Sequence, residues 1–140
     1  MFKIILFTHG GLAAGMLDTS RLIMGEQEAV ESYSVEEGCN IEELKEIVKS
    51  SIKSSEKNNE EVLVLTDLMF GTPFNITVQL QDECSFSHIT GVNLPLLLEA
   101  LNRRTDSDLK TAMDGLLDTA RQCMRDCSLL LEHSQAETSA

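Results

Sequence analysis

The sequence is poor in aromatic and in basic residues. Its 140 residues include no tryptophan and only 4% are aromatic, so it does not predict the stacking surfaces that bind single-stranded nucleic acid. Lysine and arginine number 11 against 23 aspartates and glutamates, which gives a formal net charge of −12 with neutral histidines. Nucleic acids and anionic membranes are both bound through positively charged surfaces. The composition therefore argues against either of them as a partner.

The sequence also lacks a hydrophobic run long enough to cross a membrane. The opening apolar run from Phe2 to Phe7 is far shorter than the about 20 residues that a membrane-spanning helix needs. No basic leader precedes this run and no small-residue cleavage site follows it, so it is not typical of a signal peptide. We expect a cytoplasmic protein that does not insert into a membrane.

Cysteine is also scarce, with Cys39, Cys84, Cys123 and Cys127 as its only occurrences. In a chain without a secretory leader, reduced thiols are expected rather than disulfides. Cys123 and Cys127 fall in a helical pattern and are predicted to share a helix face. A structural zinc site needs four ligands at closer pair spacing, so we expect no metal.

The apolar residues suffice for one hydrophobic core. The chain has 140 residues, of which 42% are hydrophobic, and single domains usually contain about 50–250 residues. No repeat, linker or block of like charge divides the sequence. We therefore expect one domain over residues 1–133, followed by a small, polar and flexible tail over residues 134–140.

The spacing of apolar residues alternates between strand-like and helical along the chain. Strands are predicted over residues 2–8, 29–35, 62–66 and 86–90, the second of them near a sheet edge. Helices are predicted over residues 12–24, from a cap at Asn40 into the polar run 54–61, from a cap at Thr72 to Leu80, after Asn93, and as one long helix from Asp108. This alternation predicts an α/β domain of the doubly wound type, with a mostly parallel sheet between helices.

Ligand sites in such sheets lie beyond the carboxyl ends of the strands. Three segments of this sequence follow predicted strands, and each contains glycine: residues 8–11, 67–72 and 91–93. The first contains His9 and the second contains Asp67. We therefore expect a histidine, an aspartate and three flexible turns to meet at one edge of the sheet.

His9 is the candidate nucleophile. One imidazole nitrogen can attack near neutral pH while the other is held by a hydrogen bond, and Asp67 is the natural partner that would orient the ring. Gly10 and Gly11 let the backbone approach an anion closely, next to the N–H groups of the following helix. From the residues alone, a surface histidine at a strand end is an equal alternative, and Asp67 could simply end its strand.

The roles of the other polar residues are less specific. Thr72 could donate a hydrogen bond to a phosphoryl oxygen or cap its helix, and Asn93 could cap the helix that starts near Leu94. His88 lies within a predicted strand and His133 near the end of the chain, and neither has a predicted partner. The sequence lacks the P-loop, dinucleotide-binding and G-x-S-x-G motifs.

The three segments together resemble the enzyme IIA domain of mannose-type (mannose/fructose/sorbose) sugar phosphotransferase systems. The matching residues are Thr8-His9-Gly10, the nonapeptide D-L-M-F-G-T-P-F-N from Asp67 to Asn75, and G-V-N-L-P from Gly91 to Pro95, with Gly25-Glu26 also fitting. The resemblance extends over residues 1–130. The segments G-T-P-F-N and G-V-N-L-P favour the mannose type over the related phosphotransfer subunit of dihydroxyacetone kinase. A two-component receiver domain fits poorly, because it needs an acidic cluster near the first strand.

The resemblance implies a phosphohistidine mechanism. His9 would accept a phosphoryl group from the phosphocarrier HPr on its tele (Nε2) nitrogen and pass it to a histidine of the IIB component. IIB would then phosphorylate a sugar entering through the membrane proteins IIC and IID. Asp67 would orient His9, and no cofactor would be required. The residues expected to contact the phosphoryl group or the partners are Gly10, Gly11, Phe70, Gly71, Thr72 and Asn93.

The resemblance also implies a homodimer whose subunits exchange a C-terminal strand, for which residues 129–132 are the candidate segment. The family pattern D-x-x-G-G-[ST]-P-x-N has glycine where this chain has Phe70. A non-glycine residue is unfavourable there if the turn needs a positive φ, so Phe70 is expected to reshape the partner surface or slow transfer. This substitution keeps open the alternative of a regulatory module whose phosphorylation state reports sugar supply.

Overall fold

Strands and helices alternate along residues 1–131, the part of the chain that the computed structural model describes. The strands are β1 (Lys3–His9), β2 (Val30–Val35), β3 (Val62–Thr66) and β4 (Ser87–Thr90). The helices are α1 (Leu12–Met24), α2 (Ile41–Lys57), α3 (Thr72–Leu80), α4 (Leu94–Arg103), α5 (Leu109–Met113) and α6 (Leu116–Gln122). Each predicted strand is present, with bounds that differ by at most one residue.

The strands form one parallel sheet in the order β2-β1-β3-β4. The predicted doubly wound α/β fold is therefore confirmed, as is the edge position of β2. The chain builds outward from β1 to β2 and then continues on the other side of β1 with β3. The direction of winding thus reverses between β1 and β3, which is where ligand sites of such folds lie.

Helices bury both faces of the sheet, so β1 reads as an almost continuous apolar run. Alternate residues of β1 point to opposite faces, and each face has its own core. One core contains Ile4, Leu6, Leu63 and Leu65 together with residues of α1, α4, α5 and α6. The other contains Ile5, Phe7, Val62 and Val64 together with residues of α2 and α3.

The predicted long helix after Asp108 is wrong, because the chain breaks it into α5 and α6. Gly115 separates the two with a left-handed φ of +78°, which glycine adopts without a steric penalty. The Arg103 guanidinium donates to the carbonyl oxygens of Ala112 at 3.4 Å and Asp114 at 2.5 Å. These two contacts satisfy backbone acceptors that a continuous helix would have used internally. The predicted apolar face is nevertheless buried at Leu109, Ala112, Leu116 and Ala120.

The end of the described chain also differs from expectation. Cys123 follows the last residue of α6, and residues 124–126 are not helical, so Cys123 and Cys127 do not share a helix face. Residues 127–131 are helical, including the part of the candidate exchanged strand that is described. Glu132, His133 and the predicted tail lie outside the described residues. All four cysteines are free thiols.

Candidate active site

The predicted site lies at the carboxyl edge of the two central strands. His9 is the last residue of β1 and Asp67 is the first residue after β3. Because β1 and β3 are hydrogen-bonded neighbours, the two side chains meet at the point where the winding of the sheet reverses. Both residues follow strands of a parallel sheet and were therefore expected at one edge of it, and the structure brings them into contact.

One carboxylate oxygen of Asp67 contacts both the backbone N–H and the ring of His9. Oδ2 accepts a hydrogen bond from the backbone N–H of His9 at 2.9 Å, and lies 2.9 Å from the ring nitrogen Nδ1. A carboxylate can only accept, so Nδ1 carries the proton and Nε2 keeps its lone pair. The His9 side chain is 44% exposed, whereas that of Asp67 is 13% exposed. The imidazole is therefore anchored at Nδ1 while its side chain stays partly exposed.

The charge of Asp67 suits this role. Burial alone would raise the pKa of Asp67, but the hydrogen bonds from the backbone and ring of His9 outweigh it, and the pKa is lowered. The carboxylate is thus ionised at neutral pH. Its second oxygen, Oδ1, is buried and has no hydrogen-bond partner within residues 1–131. The negative charge is consequently directed at the imidazole, where it stabilises a positively charged ring.

Gly71 borders the His9 ring near Cε1 and Nε2. A Cβ added to Gly71 would lie 2.7 Å from Cε1 and 3.4 Å from Nε2 of His9. The φ of Gly71 is −78°, a value open to any residue, so glycine is needed here for space rather than for backbone conformation. Sequence reasoning included Gly71 among the site residues but did not identify this contact, because it depends on where the ring lies.

Phe70 adopts a left-handed backbone conformation, with φ +64°. The turn before α3 therefore does have the positive φ that makes a non-glycine residue unfavourable. The Phe70 side chain is 76% exposed, and its ring meets Phe74 edge-on, with centroids 5.5 Å apart at 74°. Phe70 is thus an exposed residue of the turn that precedes Gly71.

The helices that follow β1 and β3 begin at the same edge. Gly10 turns the chain with φ +54° and donates its N–H to the Val35 carbonyl at 2.9 Å. Gly11 precedes α1 without a side-chain cap, and the Thr8 hydroxyl accepts from the N–H of Ala13 at 2.8 Å instead. Sequence reasoning missed this cap because Thr8 is in a strand, outside the usual capping position. The N-termini of α1 and α3 favour negative charge near His9.

Two capping predictions have different outcomes. Thr72 is not the N-cap of α3, because it is already the first helical residue and Gly71 takes the cap position in extended conformation. Asn93 does cap α4, since its Oδ1 accepts from the N–H of Leu96 at 2.9 Å. Its Nδ2 also donates to the Ala120 carbonyl at 3.3 Å, which ties the loop after β4 to α6. Phosphoryl or partner contacts by Thr72 and Asn93 stay predictions.

His88 has a partner, contrary to expectation. Its Nε2 lies 2.8 Å from the Thr66 hydroxyl oxygen, and its ring centroid lies 5.5 Å from that of Phe74. Burial lowers the pKa of His88. The sequence pattern concealed this pair because it joins two neighbouring strands, with register Val64 to His88 and Thr66 to Thr90. A half-buried imidazole bound to a neutral hydroxyl is a poorer nucleophile than the His9 imidazole, which is bound to the Asp67 carboxylate.

Two further observations concern metal-ligating side chains and membrane-spanning helices. Within residues 1–131, no three His, Cys, Asp or Glu side chains are grouped so that they could hold a metal ion. In the same range, no helix combines the length and apolar character that crossing a membrane requires.

Comparison with known proteins agrees with the resemblance. The family model described as "PTS system fructose IIA component" matches residues 3–117. The fructose-specific EIIA component of Bacillus subtilis is 30% identical over 133 residues, which are 94% of this chain and 90% of that protein. The mannose-specific EIIAB component of Escherichia coli K12 is 31% identical over 138 residues, but this chain spans only 42% of its length.

A solved structure is also similar. The crystal structure of a phosphotransferase system EIIA component from Streptococcus agalactiae matches with a TM-score of 0.84 and 30% identity, over 92% of this chain and 99% of that one. The match to the family model alone covers most of the chain, and the relatives and the fold agree with it. The chain therefore belongs to the family of mannose/fructose-type IIA components of the sugar phosphotransferase system, whose members are phosphotransferases.

Proposed function

We propose that this protein is a phosphoryl carrier that accepts a phosphoryl group on Nε2 of His9 from the phosphocarrier HPr and passes it to a histidine of a IIB component. The supporting observation is the 2.9 Å contact between Nδ1 of His9 and Oδ2 of Asp67 on a ring that is 44% exposed. This contact favours the tautomer with a free Nε2, and the exposure of the ring supports its being reached by another protein. The sugar would be selected by the membrane components rather than by this chain.

The transfer step is a displacement at phosphorus. The lone pair on Nε2 of His9 attacks the phosphorus atom of the phosphorylated donor, and a nitrogen–phosphorus bond forms. The bond from phosphorus to the donor atom breaks, and its electron pair returns to that atom. The phosphorylated ring keeps its proton on Nδ1 and becomes positively charged, which the Asp67 carboxylate stabilises. Transfer to IIB is the same displacement with the roles exchanged, so the chain needs no metal, nucleotide or other cofactor.

The phosphoryl group adds about two negative charges to an already acidic chain. N–H groups around Gly10 and Gly11, at the start of α1, and the hydroxyl and N–H of Thr72, at the start of α3, would offset this charge. Both partners are expected to present positive surfaces, because a net charge of −12 favours encounter with them.

The rim of the site supports a protein partner rather than a small-molecule donor. Three consecutive apolar residues in the turn after β3 are exposed: Leu68 by 60%, Met69 by 56% and Phe70 by 76%. Contiguous exposed apolar residues are typical of protein contact sites. In this proposal Phe70, Gly71 and Asn93 border the contact with HPr and IIB, the relay acts in the cytoplasm, and the carrier is a homodimer.

The proposal is tested by incubating the chain with HPr, enzyme I and labelled phosphoenolpyruvate. We expect an acid-labile label that maps to His9 by mass spectrometry and is lost in His9→Ala. His133→Ala is the matched control, and it should take up label as the wild type does. Label that persists in His9→Ala, or that maps to His88 or His133, would contradict the assignment. Addition of a cognate IIB should then discharge the label.

A further inference from the structure

The turn that joins β3 to α3, residues 67–71, touches His9 from two sides. Asp67, at its start, holds Nδ1 of the ring, and Gly71, at its end, leaves the space that Cε1 occupies. Between them lies Phe70, whose φ of +64° is unfavourable for a bulky side chain. The position of the imidazole therefore depends on a turn whose conformation its own sequence does not favour.

Four contacts hold Phe70 and Gly71 in place, one of them from the Asn75 backbone N–H to the Gly71 carbonyl. The Asn75 side chain donates from Nδ2 to the Phe70 carbonyl at 3.3 Å, and the Gly71 N–H donates to the Leu68 carbonyl at 3.2 Å. The Phe70 ring packs edge-on against Phe74. The Asn75 side chain and the Leu68 carbonyl both bond the peptide group that links Phe70 to Gly71. Asn75 thus provides the side-chain hydrogen bond closest to the backbone that borders the imidazole.

We propose that Asn75 is a positioning residue for phosphoryl transfer, which holds the Phe70–Gly71 peptide in place so that the His9 ring stays on Asp67 with Nε2 presented. This inference rests on the proposed function for its kinetic readout. Asn75 lies in the first turn and a half of α3 and its backbone N–H donates to the Gly71 carbonyl at 2.9 Å, so its main chain is fixed by the helix. A rigid helix is a suitable support for a strained turn.

The strain at Phe70 makes this role separable from a general effect on folding. Glycine adopts φ near +64° freely, so the turn should hold its shape without Asn75 once Phe70 is replaced by glycine. We expect Asn75→Ala to slow phosphoryl uptake from HPr about tenfold in the wild-type background and by less than about twofold in the Phe70→Gly background. Asn102→Ala, on the exposed face of α4, is the matched control and should leave the rate unchanged.

A second readout is independent of phosphoryl transfer. Nitrogen-15 NMR of the unphosphorylated protein reports whether His9 carries its proton on Nδ1 or Nε2. We expect Asn75→Ala to raise the Nε2-protonated fraction, and Phe70→Gly with Asn75→Ala to restore the wild-type signal. Thermal unfolding of each variant shows whether the fold is kept.

The outcomes are distinguishable. An equal loss of rate from Asn75→Ala in both backgrounds, or wild-type His9 signals in Asn75→Ala, would overturn the positioning role. If the wild-type chain took up no label, the proposed function would fail, and the NMR comparison would still decide the role of Asn75.

Discussion

Replacement of Gly71 by alanine tests the geometry of the site most directly. The added Cβ would lie 2.7 Å from Cε1 of His9, whereas non-bonded carbon atoms prefer about 3.5–4.0 Å. The ring must therefore retreat by about 1 Å, and the contact from Nδ1 to Asp67 must lengthen or bend. Misplacement of a reacting group by about 1 Å can cost about 100-fold in rate. We expect Gly71→Ala to slow phosphoryl uptake by about 10- to 100-fold.

The assay is the initial rate of label transfer from phosphorylated HPr, measured with thermal unfolding of the same samples. Because the φ of Gly71 is −78°, alanine is not strained there, and the fold should keep its stability within about 1 kcal/mol. Gly15→Ala is the matched control, since a Cβ at Gly15 in α1 meets nothing within 4 Å. It should transfer at the wild-type rate.

A Gly71→Ala rate within twofold of wild type would refute the reasoning, because it would mean that the imidazole does not need the position described here. Loss of folding with loss of transfer would show instead that Gly71 supports the turn and not only the ring. Thermal unfolding separates the two, and Gly15→Ala shows whether an added methyl group by itself slows transfer.

Four further predictions use three other residues. Asp67→Asn should slow transfer by about two orders of magnitude while circular dichroism stays native, because the amide keeps the shape but not the charge that stabilises the ring. Since the pKa of Asp67 is lowered on folding, its ionised form stabilises the fold at neutral pH. This part of the free energy of unfolding should be lost in the wild type as the pH falls. Denaturant unfolding should show no such loss in Asp67→Asn, which has no carboxyl group to protonate. Phe70→Gly should be more stable than Phe70→Ala by about 1 kcal/mol in denaturant unfolding, since both remove the ring but only glycine relieves the left-handed φ. Burial and the hydrogen bond to Glu31 raise the pKa of Tyr33 to about 12, so ultraviolet titration should show no phenolate until the pH approaches that value.

The fold and the meeting of His9 and Asp67 at one edge of the sheet were predictable because they depend on patterns along the chain. A run such as Val62 to Leu65 is apolar throughout only when helices cover both of its faces, so alternation with helical segments indicates a parallel sheet. In such a sheet, residues that follow the strands share one edge whatever their separation in sequence. His9 and Asp67 are 58 residues apart, and this rule places them at the same edge, where the pairing of β1 with β3 brings them into contact.

Features that depend on distances between side chains were not predictable in the same way. The requirement for glycine at Gly71 follows from the position of a ring on another strand, and the cap that Thr8 provides for α1 comes from outside the helix. The break at Gly115 was open to prediction in principle, since glycine often ends a helix. Apolar residues on both sides of it kept the helical spacing and concealed the break.

The two described histidines show how position in the sheet decides their chemistry. Each has a ring nitrogen held by a neighbouring strand segment, with His9 2.9 Å from a carboxylate and His88 2.8 Å from a hydroxyl. The carboxylate stabilises a positive ring and lies at the end of a strand, where the imidazole is open to another protein. The hydroxyl of Thr66 carries no charge, and burial lowers the pKa of His88, which therefore favours its neutral form. A nucleophile that becomes cationic as it takes up a phosphoryl group needs a carboxylate beside an exposed ring. Among the histidines of residues 1–131, only His9 has both.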